Sequence, residues 1–241
     1  MSRSAPRRRR HADGAAMIMS SFVRRGFRTC PRLRWLGADR RGVAAVEFAL
    51  ILPLMLLLYL GTSELTQGVM ASRKATLVAR ALSDLVGQLA AGNTMTDTEA
   101  TNVFNAATAV MSPFNTSSLK MTITSVEFVA NASAPNKYDA KPRWTIVRNG
   151  GTARPCAILT AVSNTTKPAS NNMPNGMYQS GSIIVADVSY TYDPPFGRAL
   201  LEWSKTDSVV RMSQTTYMRP RNQTLIGIST GVTGATTCPS Y

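Results

Sequence analysis

From Val43 to Leu60 the chain runs for eighteen residues with one charge, Glu47. A helix of that length rises roughly 27 Å, close to the hydrocarbon thickness of a bilayer. A buried helix of a soluble domain seldom stays apolar on every face for five turns. A secretory signal has a shorter apolar core ending in a small-x-small cleavage site, whereas here the helical pattern continues. In "LTQGVMASRKATLVARALSDLVGQLA", Leu77, Val78, Ala81, Leu82, Leu85, Val86 and Leu89 follow the i, i+3, i+4 rule of an amphipathic helix. Gly92-Asn93 supplies a stop, and Pro53 predicts a kink inside the apolar half. The pattern predicts one helix from about Val43 to Ala91, with a membrane half and an amphipathic half.

A second helix is predicted after Thr96, which forms a T-x-x-E capping box with Glu99. Its apolar face is Val103, Phe104, Ala107, Val110 and Met111, and Ser112-Pro113 ends it. Beyond it the period falls to two. Leu119 to Ala130 alternates at Leu119, Met121 and Ile123, then changes phase to Val126 and Phe128, which predicts a bulge near Ser125. A short strand is expected from Arg143 into an Asn-Gly turn. Ser182 to Pro195 places Ile184, Ala186, Val188, Tyr190 and Tyr192 on one face, and Asp207 to Arg221 is the last strand. Residues 150 to 181, rich in Asn, Thr, Ser and Pro, read as a long loop. The fold class is α+β, helices first and an antiparallel sheet of about four strands afterwards. The expected organisation is a leader over 1–42, a transmembrane helix over 43–63 and an exported domain over 64–241, with helices in 64–112 and strands and loops in 117–241.

Charge sharpens the orientation. Of the net +14, a share of +10 lies in residues 1 to 41, where twelve arginines face only Asp13 and Asp39. "RRRR" at Arg7 to Arg10 is compatible with phosphate binding. The alternative is topology: Arg32, Arg34, Arg40 and Arg41 crowd the start of the apolar run, and no Lys or Arg follows its end until Arg73. That asymmetry places the N-terminus in the cytoplasm and is the favoured reading, against nucleic acid as a partner. A start at Met17 or Met19 would remove "RRRR" altogether.

Three cysteines are present. Cys30 falls in the leader, while Cys156 and Cys238 lie beyond the membrane run, where disulfides persist. Their pairing is expected to close a loop of about 80 residues and to stabilise the domain by a few kcal/mol. The single histidine, His11, is in the leader. Histidine-based triads and most zinc sites are therefore excluded from the exported domain. No Gly-rich phosphate loop, persuasive acid pair, S-x-x-K or G-x-S-x-G is present. The expectation is a non-enzyme without cofactor or metal. N-x-S/T triplets begin at Asn115, Asn131, Asn164 and Asn222, and in so Asn-, Ser- and Thr-rich a chain they read as coincidence.

The segment "RRGVAAVEFALILPLMLLLYLGTSEL" resembles the N-terminus of TadE-like pseudopilins of the tight-adherence (Tad/Flp) pilus system. The matching elements are a basic leader ending in Arg40-Arg41-Gly42, small apolar residues, Glu47-Phe48 and a membrane run with Pro53. "ADVSYTYDPP" and "TTYMRPR" resemble the family's late strands more loosely. The resemblance implies N-in insertion, cleavage by a prepilin peptidase between Gly42 and Val43, and a pilin-like fold. It also implies other pilins or pseudopilins and the inner-membrane Tad assembly platform as partners. The larger relatives with a von Willebrand-type domain carry a D-x-S-x-S metal-site motif, which this chain lacks.

A carboxylate in hydrocarbon is costly unless paired. Cleavage after Gly42 creates an ammonium at Val43, which Glu47 of a neighbouring subunit can meet. The alternative is a Glu47 that snorkels or protonates near the interface. The functional expectation is a minor pseudopilin or pilus-assembly protein, single-pass in a bacterial inner membrane, with a periplasmic domain. The rival is a permanently anchored, unprocessed periplasmic binding or scaffold protein.

Overall fold

A computed structural model of the chain describes residues 42–167, 169–197 and 209–239. Helix α1, Val43–Gly87, is 45 residues long and continues through Pro53. It crosses the boundary between two compact units, residues 1–56 and 57–241. In the first unit the described residues are Gly42 and the opening turns of α1, all exposed.

The second unit is built on a five-stranded antiparallel sheet, one strand more than the sequence pattern predicts. In chain order the strands are β1 (Thr94–Met95), β2 (Lys120–Ala130), β3 (Tyr138–Arg148), β4 (Thr160–Val162), β5 (Asn172–Pro174), β6 (Gly181–Tyr192), β7 (Val210–Met218), β8 (Gly227–Ile228) and β9 (Ala235–Thr237). The large sheet has the order β7-β6-β2-β3-β9; β1 pairs with β8 and β4 with β5 as small parallel ribbons. Helix α2 (Asp97–Val110) starts at the predicted capping box: the Thr96 side chain accepts from the Glu99 amide, and Glu99 Oε2 accepts from the Thr96 amide at 2.9 Å.

Both faces of the sheet are covered. On one face Leu119, Met121, Ile123, Trp144, Ile146 and the inward series of β6 pack against α1 and α2. On the other, Val126, Phe128, Ala140, Ile183 and Val185 pack under Leu159 and Met173 of the 150–181 segment. That segment is therefore not a plain loop. It carries β4, β5 and a short 3₁₀ turn (Asn175–Met177).

The two-sided cover explains the change of phase in β2. The ladder does shift at Ser125/Val126, but the extra residue is Arg143 of β3, since Ser125 pairs with Trp144 and Val126 with Pro142. Proline has no N–H for a ladder bond, so a bulge beside it is a natural solution. Across the bulge, Ala140 and Trp144, both even-numbered, fall on opposite faces. Strand β3 begins at Tyr138, five residues before the expected start at Arg143, because Pro142 masks its first half in the sequence. Strand β7 is described from Val210; Asp207 and Ser208 lie outside the described residues.

Helix α1 meets the sheet through a row of small side chains at four-residue spacing, Ala71, Ala75, Ala79, Ser83 and Gly87, flanked by Val78, Leu82 and Val86, all buried. This corrects the predicted face. Val78, Leu82 and Val86 are in the core, but Leu77 is 51% and Leu85 37% exposed. The buried row is alanine, serine and glycine, and an apolar-residue count weights leucine over alanine. The end of α1 is also earlier than Ala91. The Gly87 carbonyl accepts the Arg221 amide at 2.9 Å, and Asn222 Nδ2 donates to the carbonyls of Gln88 and Leu89. Tertiary contacts thus satisfy the Gly87, Gln88 and Leu89 carbonyls, while the Gln88 and Leu89 amides donate to those of Asp84 and Val86.

The rotated face is testable by urea unfolding of the full chain in detergent. Leu82→Ala is expected to cost about 2–5 kcal/mol through a core cavity. Leu77→Ala should stay within about 0.5 kcal/mol, as for an exposed position.

Candidate functional site

The N-terminal half of α1 is long and apolar enough to cross a membrane, with a mean hydropathy of 2.4 over eighteen residues and none of that window buried. It fits a single-pass membrane anchor. At its head, Gly42 is exposed and precedes the helix. A side-chain carbon added at Gly42 would meet nothing within 4 Å. Among the described residues nothing makes a steric demand for glycine there. Val43 opens α1, and Glu47 lies one turn later on the same side of the helix. Phe48 follows and is exposed, as are all the side chains from Val43 to Tyr59. Arg32, Arg34, Arg40, Arg41 and Cys30 lie outside the described residues.

Cys156 and Cys238 are joined by a disulfide with the Cα atoms 5.2 Å apart. Cys238 follows the edge strand β9, and its amide donates to the carbonyl of Arg143, the bulged residue. The bridge pins the C-terminal edge of the sheet to the covering segment.

Residues 42–83 match the family model described as TadE-like protein. This segment is TadE-like. It covers Gly42, Glu47, the whole apolar run and most of the ridge that packs on the sheet. The match relates the chain to Tad pilus proteins in general. No curated protein and no solved structure matches the chain.

Just past the TadE-like apolar run stands a residue that sequence reasoning treats only as a charge. Glu64 Oε1 accepts the backbone amides of Phe196 and, at 2.7 Å, Gly197. One carboxylate thereby fastens residues 193–197, of which Pro195, Phe196 and Gly197 are helical, to α1. The available signal is a lone acid one turn beyond a membrane run in a chain with a late Pro-Pro-Phe-Gly stretch. Beside it, burial raises the Tyr192 phenol above its ordinary pKa, and the Glu64 carboxylate, Tyr190 and Asp193 push the same way. The tyrosine is held neutral.

A second unforeseen pair joins the buried Arg154 of the covering segment to the half-buried Asp187 of β6. Arg154, 2% exposed, donates through Nε and Nη2 to both oxygens of Asp187 at 2.8 and 2.9 Å, and Nη1 donates to the carbonyls of Ala169, Ser170 and Asn172. A buried guanidinium bonded to a carboxylate and three carbonyls holds the chain of the covering segment in place. The four N-x-S/T asparagines are likewise occupied in local hydrogen bonds: with Ser117, Ser133 and Asp139, Gly176, and the end of α1. Among the described residues no cluster of three or more His, Cys, Asp or Glu is placed to hold a metal.

The Glu64 clamp has a direct readout in amide hydrogen exchange of the full chain. Hydrogen bonds to a charged group contribute about 1.5–3 kcal/mol, so Glu64→Ala should speed exchange at Phe196 and Gly197 by about tenfold or more. Exchange at β2 should be unchanged. Unaltered exchange at both amides would show that the clamp contributes nothing.

Proposed function

We propose that this protein is a minor pseudopilin or pilus-assembly protein of a Tad/Flp-type system, cut by a prepilin peptidase between Gly42 and Val43. The observation that carries the reading is the TadE-like match over 42–83, which begins at Gly42 and includes Glu47. The freedom around Gly42 supports it, because a glycine that the fold does not need is explained by close approach of another protein's active site. Proteins of this kind are structural.

The mechanism follows from electrostatics. Before cleavage, Glu47 is a single carboxylate at the start of an apolar helix. Cleavage supplies a mobile ammonium at Val43, and its pairing with Glu47 of a neighbour lets both charges enter an apolar interface together. An unpaired carboxylate there opposes release from the membrane edge, so pairing favours the assembled state and sets axial register. Partners are the peptidase, other pilins or pseudopilins and the inner-membrane assembly platform. The basic leader keeps the N-terminus cytoplasmic and the 64–241 domain periplasmic.

Mass spectrometry of the mature N-terminus tests this reading. It predicts a chain beginning at Val43; an intact leader contradicts it and favours the permanent anchor. Gly42→Leu should accumulate uncut protein. Glu47→Ala should be cut normally but incorporate into assemblies about tenfold less or worse, since breaking a buried pair costs about 3–5 kcal/mol. Equal incorporation would remove the pairing mechanism while leaving the cleavage intact.

A further inference from the structure

Residues 57–60, the last turn of the apolar run, lie in the same compact unit as Glu64 and Phe196. The height of the clamped residues is therefore set relative to the end of the span. Glu64 is four residues past Leu60, a rise of about 6 Å along a helix. A helical side chain leans toward the N-terminus of its own helix, here toward the span. The Glu64 carboxylate, and the Phe196 and Gly197 amides that donate to it, thus stand within about one turn of the end of the run. The fit is close, since a carbon added at Gly197 would meet Glu64 Oε2 at 2.9 Å.

We infer that Phe196 lies in the headgroup layer of the membrane, so that the folded domain meets the bilayer at a second point beside the span. The inference rests on the membrane-anchor reading of α1. The headgroup layer is roughly 5–8 Å thick on each side of the hydrocarbon, and the clamp holds Phe196 at that height. At this depth the surroundings of an exposed side chain are lipid headgroups, whichever way its ring turns. Phe196 is 48% exposed, whereas Tyr192 and Pro194 just before it are buried.

The layer suits these groups. An aromatic ring is accommodated where apolar and polar matter mix. Tyr59, one residue before the end of the run and 71% exposed, presents a second ring at nearly the same depth from α1 itself. The Glu64 carboxylate tolerates the position because two backbone amides bond it. The rest of the sheet leads away from the membrane alongside α1. Gly68 faces Tyr192 at one end of β6, and Gly87 faces Met218, the partner of Ile184, near the other. Those two glycines are separated by about 28 Å of helix.

The test uses the full chain in phosphatidylethanolamine–phosphatidylglycerol vesicles. The photoreactive p-benzoylphenylalanine, close in shape to phenylalanine, replaces Phe196, Leu54 or Val129, one position at a time. Leu54 is exposed within the span, and Val129 is exposed past the Ile184 end of the sheet. After illumination, adducts are identified by mass spectrometry. The expected result is phospholipid on position 54 and on position 196, and none on position 129. Lipid at 54 but not at 196 overturns this inference alone, as does a chain-to-chain adduct at 196 in place of lipid. Lipid at 129 as well as at 196 removes the argument from depth and overturns it too. Absence of lipid at 54 contradicts the membrane reading, and this inference with it.

Discussion

The contact on which the second unit depends is the ridge of Ala71, Ala75, Ala79, Ser83 and Gly87 lying on the sheet. Residues four apart stack on one side of a helix, so five small side chains in register form a smooth strip. That strip brings Val78, Leu82 and Val86 into the layer of Met121, Ile123, Trp144 and Ile184. At its far end, a carbon added at Gly87 would already stand 3.4 Å from Met218 and 3.5 Å from the Arg219 carbonyl. Larger residues along the ridge would lift the helix, open the core and pull Arg221 and Asn222 from the carbonyls they satisfy. The sheet and the end of α1 are therefore specified together.

The opposite face solves a different problem. An antiparallel sheet can leave one side wet, but here the second side is apolar where Val126, Phe128, Ile183 and Val185 lie. Residues 150–181 cover the second side, anchored by Leu159 and Met173 above and by the Arg154–Asp187 pair. The Cys156–Cys238 bridge ties this cover to β9. The segment looks like a linker in composition because its few apolar residues act singly, each under a polar, turn-rich backbone.

What can be read from the sequence, and what cannot, divides along physical lines. The apolar run, the Thr96–Glu99 capping box and the alternation of β6 are local patterns, and each appears in the structure with nearly the expected bounds. The buried face of α1 escapes the pattern because its identity depends on steric fit to a sheet, which favours alanine where a hydrophobicity count favours Leu77 and Leu85. The first half of β3 escapes it because Pro142 is tolerated only through the Arg143 bulge, a property of the pairing. Strand β9, three residues long, is defined by its neighbour β3 alone. At the candidate site, Gly42 and Glu47 are legible as a spacing at the head of one helix. The role of Glu64 is not, since its partners lie 132 and 133 residues away.

Along α1, the two ends carry different demands. The ridge asks for small side chains against the sheet; the apolar run asks for uncharged side chains that hydrocarbon can surround. Only Glu47 breaks the second demand, and its meaning depends on what stands opposite it. In the pairing mechanism that partner is the amino group of Val43 in a neighbouring copy, which exists only after cleavage. The most direct measurement is zero-length carbodiimide cross-linking of assemblies grown from a mixture of isotopically light and heavy protein. Pairing predicts an amide between the Val43 α-amino group and the Glu47 carboxylate in peptides joining light with heavy chains, lost in Glu47→Gln. Cross-links found only within single chains, or none in correctly cleaved assemblies, would contradict it.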